Sequence, residues 1–125
     1  MKRDLNKEEK MIIDEVRRIV RREIAPIAAE LDERGGFPDH THKIFAGNDL
    51  LNPLLPVQYG GVGLSYMMFS RILSEVARAC AASALMLIAQ ADGTLPIVHG
   101  GSSALKEKDL PRLKDDSLAL TALAA

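Results

Sequence analysis

Residues 65–98 read SYMMFSRILSEVARACAASALMLIAQADGTLPIV, and this stretch decides the fold. Ser65 is placed to cap a helix, with Phe69, Leu73, Val76 and Cys80 recurring on one face. From Ser83 to Ile88 the helical pattern continues with almost no charge. A helix apolar on all sides is a buried one, so a central, buried helix is expected at about 83–98. Asp92-Gly93 is expected to interrupt it, Pro96 to constrain Leu95 to Val98, and Gly100-Gly101 to close it.

Upstream, Asn6 and Glu9 have the spacing of a capping box. Ile13, Val16, Val20, Ile24, Ile27 and Leu31 then form one helical stripe, with Arg17, Arg18, Arg21 and Arg22 largely off it. Pro26 falls inside the pattern and predicts a kink rather than an end. Gly35-Gly36 stops this helix and Phe37-Pro38 re-enters the protein. A shorter helix spans about Asp39 to Gly47 and ends at Asn48-Asp49. Residues 50–64 hold two prolines, three glycines and several leucines, which predicts an ordered loop packed on the core. Ser102 or Ser103 opens a last short helix, with Pro111 near its end. No alternating strand or internal repeat is visible. The fold class is therefore all-α: an up-down helical bundle of five or six helices with a buried central helix.

Composition narrows the function. The chain has 125 residues, one domain's worth, and is 47% hydrophobic. Sixteen Lys+Arg against seventeen Asp+Glu leave no basic footprint for nucleic acid. Residues 1–34 carry nine basic and nine acidic groups, and residues 35–100 only three and four, which puts a surface helix first and the core after it. One cysteine, Cys80, suits a reducing compartment, and the start at Met1-Lys2-Arg3 is not a signal segment. Apolar runs are interrupted before the length of a membrane span. A soluble, cytoplasmic protein without membrane or nucleic-acid partners is the expectation.

Candidate chemistry is sparse. His40 and His42 are expected as exposed residues of a helix's first turn, and His99 to bond a carbonyl. No His, Cys, Asp or Glu set has metal-ligand spacing, so no metal site is assigned. Cys80 reads as packing. Gly60-Gly61-x-Gly63 lacks a dinucleotide fingerprint; its glycines serve positive φ and close approach. The four arginines are interleaved with Asp14, Glu15 and Glu23 at pairing distance along the helix. Asp92 is the odd residue, a carboxylate in the most apolar stretch. It either caps the helix restart at Gly93 or lines a cavity. Nothing assembles an acid–base pair or a nucleophilic triad, and no catalytic residue is assigned.

Read in order, the same residues carry a resemblance. Glu23-x-x-Pro26-x-Ala28-x-Glu30-x-Asp32 and Phe37-Pro38 precede Pro56-x-x-Tyr59-Gly60-Gly61-x-Gly63-Leu64. Glu75-x-Ala77-Arg78, Ser83-Ala84, Leu95-Pro96-Ile97, Lys106-Glu107-Lys108-x-Leu110-Pro111-x-Leu113 and Ala119-Leu120-Thr121 follow. Over roughly residues 5 to 121 the chain resembles the N-terminal helical domain of the acyl-CoA dehydrogenase family.

The resemblance implies FAD, oxidation of an acyl-CoA thioester to its 2-enoyl form, and electron transfer to a flavoprotein. It makes residues 1–125 one N-terminal-like domain, with the FAD-binding middle domain and the C-terminal bundle absent. After Thr121 the chain reads Ala-Leu-Ala-Ala, where the family continues Thr-Glu-Pro. The resemblance places Leu85, Ile88, Ala89 and Asp92 along the acyl cavity, and Leu118, Leu120 and Thr121 at the flavin. Asp92 argues against a long plain fatty-acyl group. The expected role is to wall the acyl pocket as a split subunit or truncated product, within a homo- or hetero-oligomer and with acyl-CoA bound through a complementing chain. The chain alone is not expected to bind FAD or turn over substrate. The alternative is a non-enzymatic, self-associating helical module, or a degenerate remnant.

Overall fold

A computed structural model describes residues 3–115 and Thr121. The described residues are helical throughout, with connecting turns and no strand. Helix α1 spans Lys7–Ile19. Its capping box is formed: the Asn6 side chain accepts from the Glu9 amide at 2.8 Å, and the Glu9 carboxylate accepts from the Asn6 amide at 3.0 Å. Around Pro26 the helix changes type without ending. Lacking an N–H, the proline offers no partner to the carbonyl one turn back. The backbone accommodates this with a widened π turn over Val20–Ile24 and a tightened 3-10 turn over Ala25–Ile27, then resumes as α2, Ala28–Arg34. The amide of Ala25 accordingly bonds the Val20 carbonyl, five residues back. Gly35 and Gly36, both at positive φ, turn the chain into Phe37-Pro38.

Helix α3 spans Asp39–Gly47, as expected. The loop over residues 50–64 buries Leu50, Leu51 and Leu55. Gly61 is a packing requirement there, because a Cβ would lie 1.9 Å from the Leu55 carbonyl oxygen. Ser65 caps α4, Tyr66–Ala79, by accepting from the Met68 amide at 3.2 Å. A single extended residue, Cys80, connects α4 to α5, Ala81–Gly100. The two helices run antiparallel, and the Tyr66 hydroxyl at the start of α4 meets His99 Nε2 near the end of α5 at 2.6 Å. Ser102 caps α6, Ser103–Asp109, and α7 spans Arg112–Asp115.

The main core joins Ile13, Val16 and Ile24 to Phe45 of α3, Met68, Ile72 and Val76 of α4, and Leu87 of α5. A smaller cluster of Leu55, Leu110 and Leu113 fastens α6 and α7 to the loop and to Ile97 and Val98 of α5.

Two features of α5 differ from expectation. First, Asp92-Gly93 does not interrupt it. A glycine inside a helix costs only about 1 kcal/mol relative to alanine, and α5 is packed on α4 and α3 along its length. Asp92 is exposed and caps no restart. The continuous helix is consequently long and apolar enough, by length and composition, to cross a membrane. Second, it is central but buried on one side only. Ser83, Leu87, Gln90 and Thr94 face the core. Ala81, Leu85, Ile88, Asp92, Pro96 and His99, at helical spacing on another side, are not buried. Apolar and polar residues are spread over both faces, so the sequence pattern has no direction to reveal which one is covered.

His42 also differs: it is 9% exposed, its ring edge-on to Phe37 at 5.5 Å, and its Nε2 has no hydrogen-bond partner. The bend at Gly35-Gly36 brings Phe37 over the first turn of α3 and covers it. His99 bonds Tyr66 rather than a carbonyl.

Candidate functional site

One edge of the uncovered side of α5, at Leu85, opens into a groove. Across from Ala82, Leu85, Met86 and Ala89 stand Gly36, Phe37 and Pro38 of the α2–α3 turn, and Thr121 and Gln90 also line it. The volume is about 470 Å³. The walls are apolar, and Gln90 and Thr121 are the polar lining residues. Such a concave apolar surface with a few placed polar groups is the usual form of a small-molecule site.

The groove's position follows from the local sequence. Glycines let residues 35–38 double back toward α5, and the one-residue link at Cys80 sets α5 close against α4. On α5 itself, small residues at 81, 82 and 89 leave space around Leu85, which is 64% exposed.

One polar cluster crosses this apolar region, and sequence reading missed its centre. Gln90 is 1% exposed. Its Nε2 donates to Asn52 Oδ1 at 2.8 Å, and its Oε1 accepts the Thr121 amide at 2.8 Å. The Gln90 carbonyl accepts from the Thr94 and Thr121 hydroxyls, each at 2.8 Å, and those hydroxyls lie 2.9 Å apart. A buried amide costs free energy unless its groups are bonded. A glutamine at a core-facing position of an apolar helix was the available signal.

The expected site residues separate into three groups. Leu85, Ala89 and Thr121 come together on the groove. Ile88, 39% exposed, and Asp92 share the uncovered side of α5 but are not among its lining residues. Leu118 and Leu120 lie outside the described residues. The flavin that the resemblance implies finds little here. The groove lining carries no charged side chain, and the Thr121 amide and hydroxyl both bond Gln90. The described residues do not amount to a flavin site.

A second recess, about 450 Å³ beside α1 and α4, is lined by Lys10, Asp14, Arg17, Arg71, Glu75 and Arg78 among others. Its charges pair largely with one another. Arg17 reaches Glu75 at 2.9 Å and Asp14 at 3.4 Å, and Arg78 reaches Glu75 at 3.6 Å. The hydrogen bond to Glu75 holds the Arg17 guanidinium above its usual pKa, and Glu15 does the same for Arg18. No group of three or more His, Cys, Asp or Glu residues close enough for a metal occurs among the described residues.

Comparison with known proteins agrees with this architecture. Residues 6–116 match the family model described as acyl-CoA dehydrogenase, N-terminal domain. A cyclohex-1-ene-1-carbonyl-CoA dehydrogenase of Geobacter metallireducens is 52% identical over 121 residues, covering 97% of this chain and 32% of that protein. A protein of the same name from Syntrophus aciditrophicus is 49% identical, covering 98% of this chain and 30% of its own length. A cyclohexane-1-carbonyl-CoA dehydrogenase of G. metallireducens is 35% identical over 86% of this chain and 29% of its own length. The chain thus spans under a third of the length of these curated relatives. It belongs to the acyl-CoA dehydrogenase family, and it corresponds to that family's N-terminal domain.

Proposed function

We propose that this chain forms one wall of the acyl pocket in a flavin-dependent acyl-CoA dehydrogenase, working with polypeptide that supplies the middle and C-terminal domains. We further propose that the acyl group is a six-membered alicyclic ring carried on coenzyme A. The groove on α5 carries the first part of this reading: the folded domain leaves Leu85 exposed in it, and Ile88 exposed beside it, as apolar surface for a partner to cover. The second part is supported by identities of 52% and 49% to proteins named for a cyclohexene thioester, against 31–33% to relatives named only as probable acyl-CoA dehydrogenases.

In this reading Leu85, Ile88 and Ala89 give the acyl group an apolar wall, and Asp92 sets a carboxylate one turn further along the same side of α5. Thr121, with Leu118 and Leu120, belongs to the flavin side. The flavin, when bound, supplies the redox chemistry. The chain's own residues bind and orient the acyl group and exclude water.

A chimaera tests this. Residues 1–121 of this chain replace the matching segment of the Geobacter relative, and flavin bleaching is followed on adding cyclohex-1-ene-1-carbonyl-CoA, cyclohexane-1-carbonyl-CoA or octanoyl-CoA. Bleaching by the cyclohexenyl thioester in preference to the octanoyl one is expected. A folded, flavin-loaded chimaera that bleaches equally with both refutes the ring assignment, and one that bleaches with none refutes the pocket.

The uncovered Leu85 and Ile88 also favour a second reading, in which two copies of the chain cover each other's α5. Sedimentation at several concentrations separates the two, since a monomer throughout removes the second.

A further inference from the structure

We infer that Gln90 is a positioning residue: it fixes Thr121 against α5 and thereby sets the polar end of the groove. Three separate parts of the chain converge on this one side chain and its own carbonyl. Asn52 comes from the loop before α4, Thr94 from the next turn of α5, and Thr121 from the segment beyond α7. The amide is used at both ends, as donor to Asn52 Oδ1 and as acceptor from the Thr121 N–H.

The residue type is demanding. A leucine or methionine of similar size leaves the half-buried Asn52 oxygen and Thr121 amide without their partner. Asparagine is one methylene too short to span both. An ionised glutamate presents an acceptor where Asn52 Oδ1 also accepts. Gln90 and Thr121 both line the groove beside Leu85 and Ala89, so the place of Thr121 sets how far the space extends. Loosening Gln90 lets that end recede, which weakens the hold on a compact ring more than on a long chain able to fill the extra length. This last consequence rests on the acyl-pocket reading above; the clamp itself does not.

Amide hydrogen exchange on the 125-residue chain tests the clamp without any substrate. The Thr121 amide is expected to be protected, and Gln90→Met to raise its exchange about tenfold, as the loss of one half-buried hydrogen bond implies. Ile72 and Val76 in α4 should keep their protection. Thr94→Val is the control: its hydroxyl does not receive the Thr121 amide, so Thr121 should stay protected. An unprotected Thr121 amide, one unmoved by Gln90→Met, or one loosened equally by Thr94→Val overturns the clamp. Should Gln90→Met fail to fold, Asn52→Ala frees the far end of the same amide and is expected to raise Thr121 exchange severalfold; no change overturns the proposal.

In the chimaera, with variants compared at equal flavin loading, Gln90→Met should raise KM for the cyclohexenyl thioester several times more than KM for octanoyl-CoA. Equal changes in the two KM values, with Thr121 demonstrably loosened, leave the clamp standing and refute its part in acyl selection.

Discussion

Leu85 and Leu87 sit two residues apart on α5 and point to opposite environments, so truncating each to alanine measures which face is covered. Leu87 is 1% exposed, and Leu87→Ala removes its burial and leaves a cavity, at about 3–4 kcal/mol. Leu85 keeps 64% of its surface exposed, so of the ~2.5 kcal/mol that full burial of a leucine contributes, about 0.9 is lost. No cavity term arises, because the site opens to solvent. Alanine's better helix propensity returns about 0.2 kcal/mol, leaving a net cost near 0.7. With a urea slope of about 2 kcal/mol/M, the midpoint should fall by roughly 1.5–2 M for Leu87→Ala and by about 0.4 M for Leu85→Ala. Chemical denaturation at low protein concentration, followed by far-UV circular dichroism, reads both. A Leu85→Ala loss as large as that of Leu87→Ala refutes the reasoning, because it means this face is already covered in the isolated chain. The same Leu85→Ala change in the chimaera should raise KM for the cyclohexenyl thioester, tying an exposed side chain to the pocket rather than to stability.

Three further outcomes are expected. Gly61→Ala should destabilise the chain by at least about 2 kcal/mol, since the new Cβ meets Leu55 backbone at 1.9 Å and that backbone has to move; Gly47→Ala, with nothing within 4 Å, should be neutral or stabilising in the same urea titration. The Glu9 carboxyl is held below its ordinary value of 4.5, first by the Asn6 backbone N–H and then by Arg3. Its contribution is therefore fully present above about pH 4.5 and is lost as pH falls through the depressed folded value, so Glu9→Gln should flatten the acid limb of a stability–pH curve, and an unchanged limb contradicts the capping geometry. The isolated chain should purify without stoichiometric flavin, and a yellow preparation with one flavin per chain contradicts the division of labour proposed here.

Much of the fold was legible because its boundaries are local chemistry. Asn6, Ser65 and Ser102 carry caps that act within three residues, and Gly35, Pro26 and Gly61 act through their own backbones. What sequence reading missed is directional or distant. Apolar residues all round α5 say that it is a core helix without saying which side is left for a partner surface. Gly93 looks like a break because propensity is local, whereas packing along the helix holds it. His42 is buried by Phe37, which arrives only after two glycines have turned the chain. Gln90 bonds residues 38 and 31 positions away, and no spacing rule reaches that far.

The single residue between α4 and α5 has a kinetic consequence. Closing such a short connection sacrifices little chain entropy, so these two helices are expected to meet early on the folding route. The bonds from Gln90 to Asn52 and Thr121 span 38 and 31 residues and wait for the chain to bring them round. On this reasoning the floor of the groove is expected to form first and its end to be fastened last.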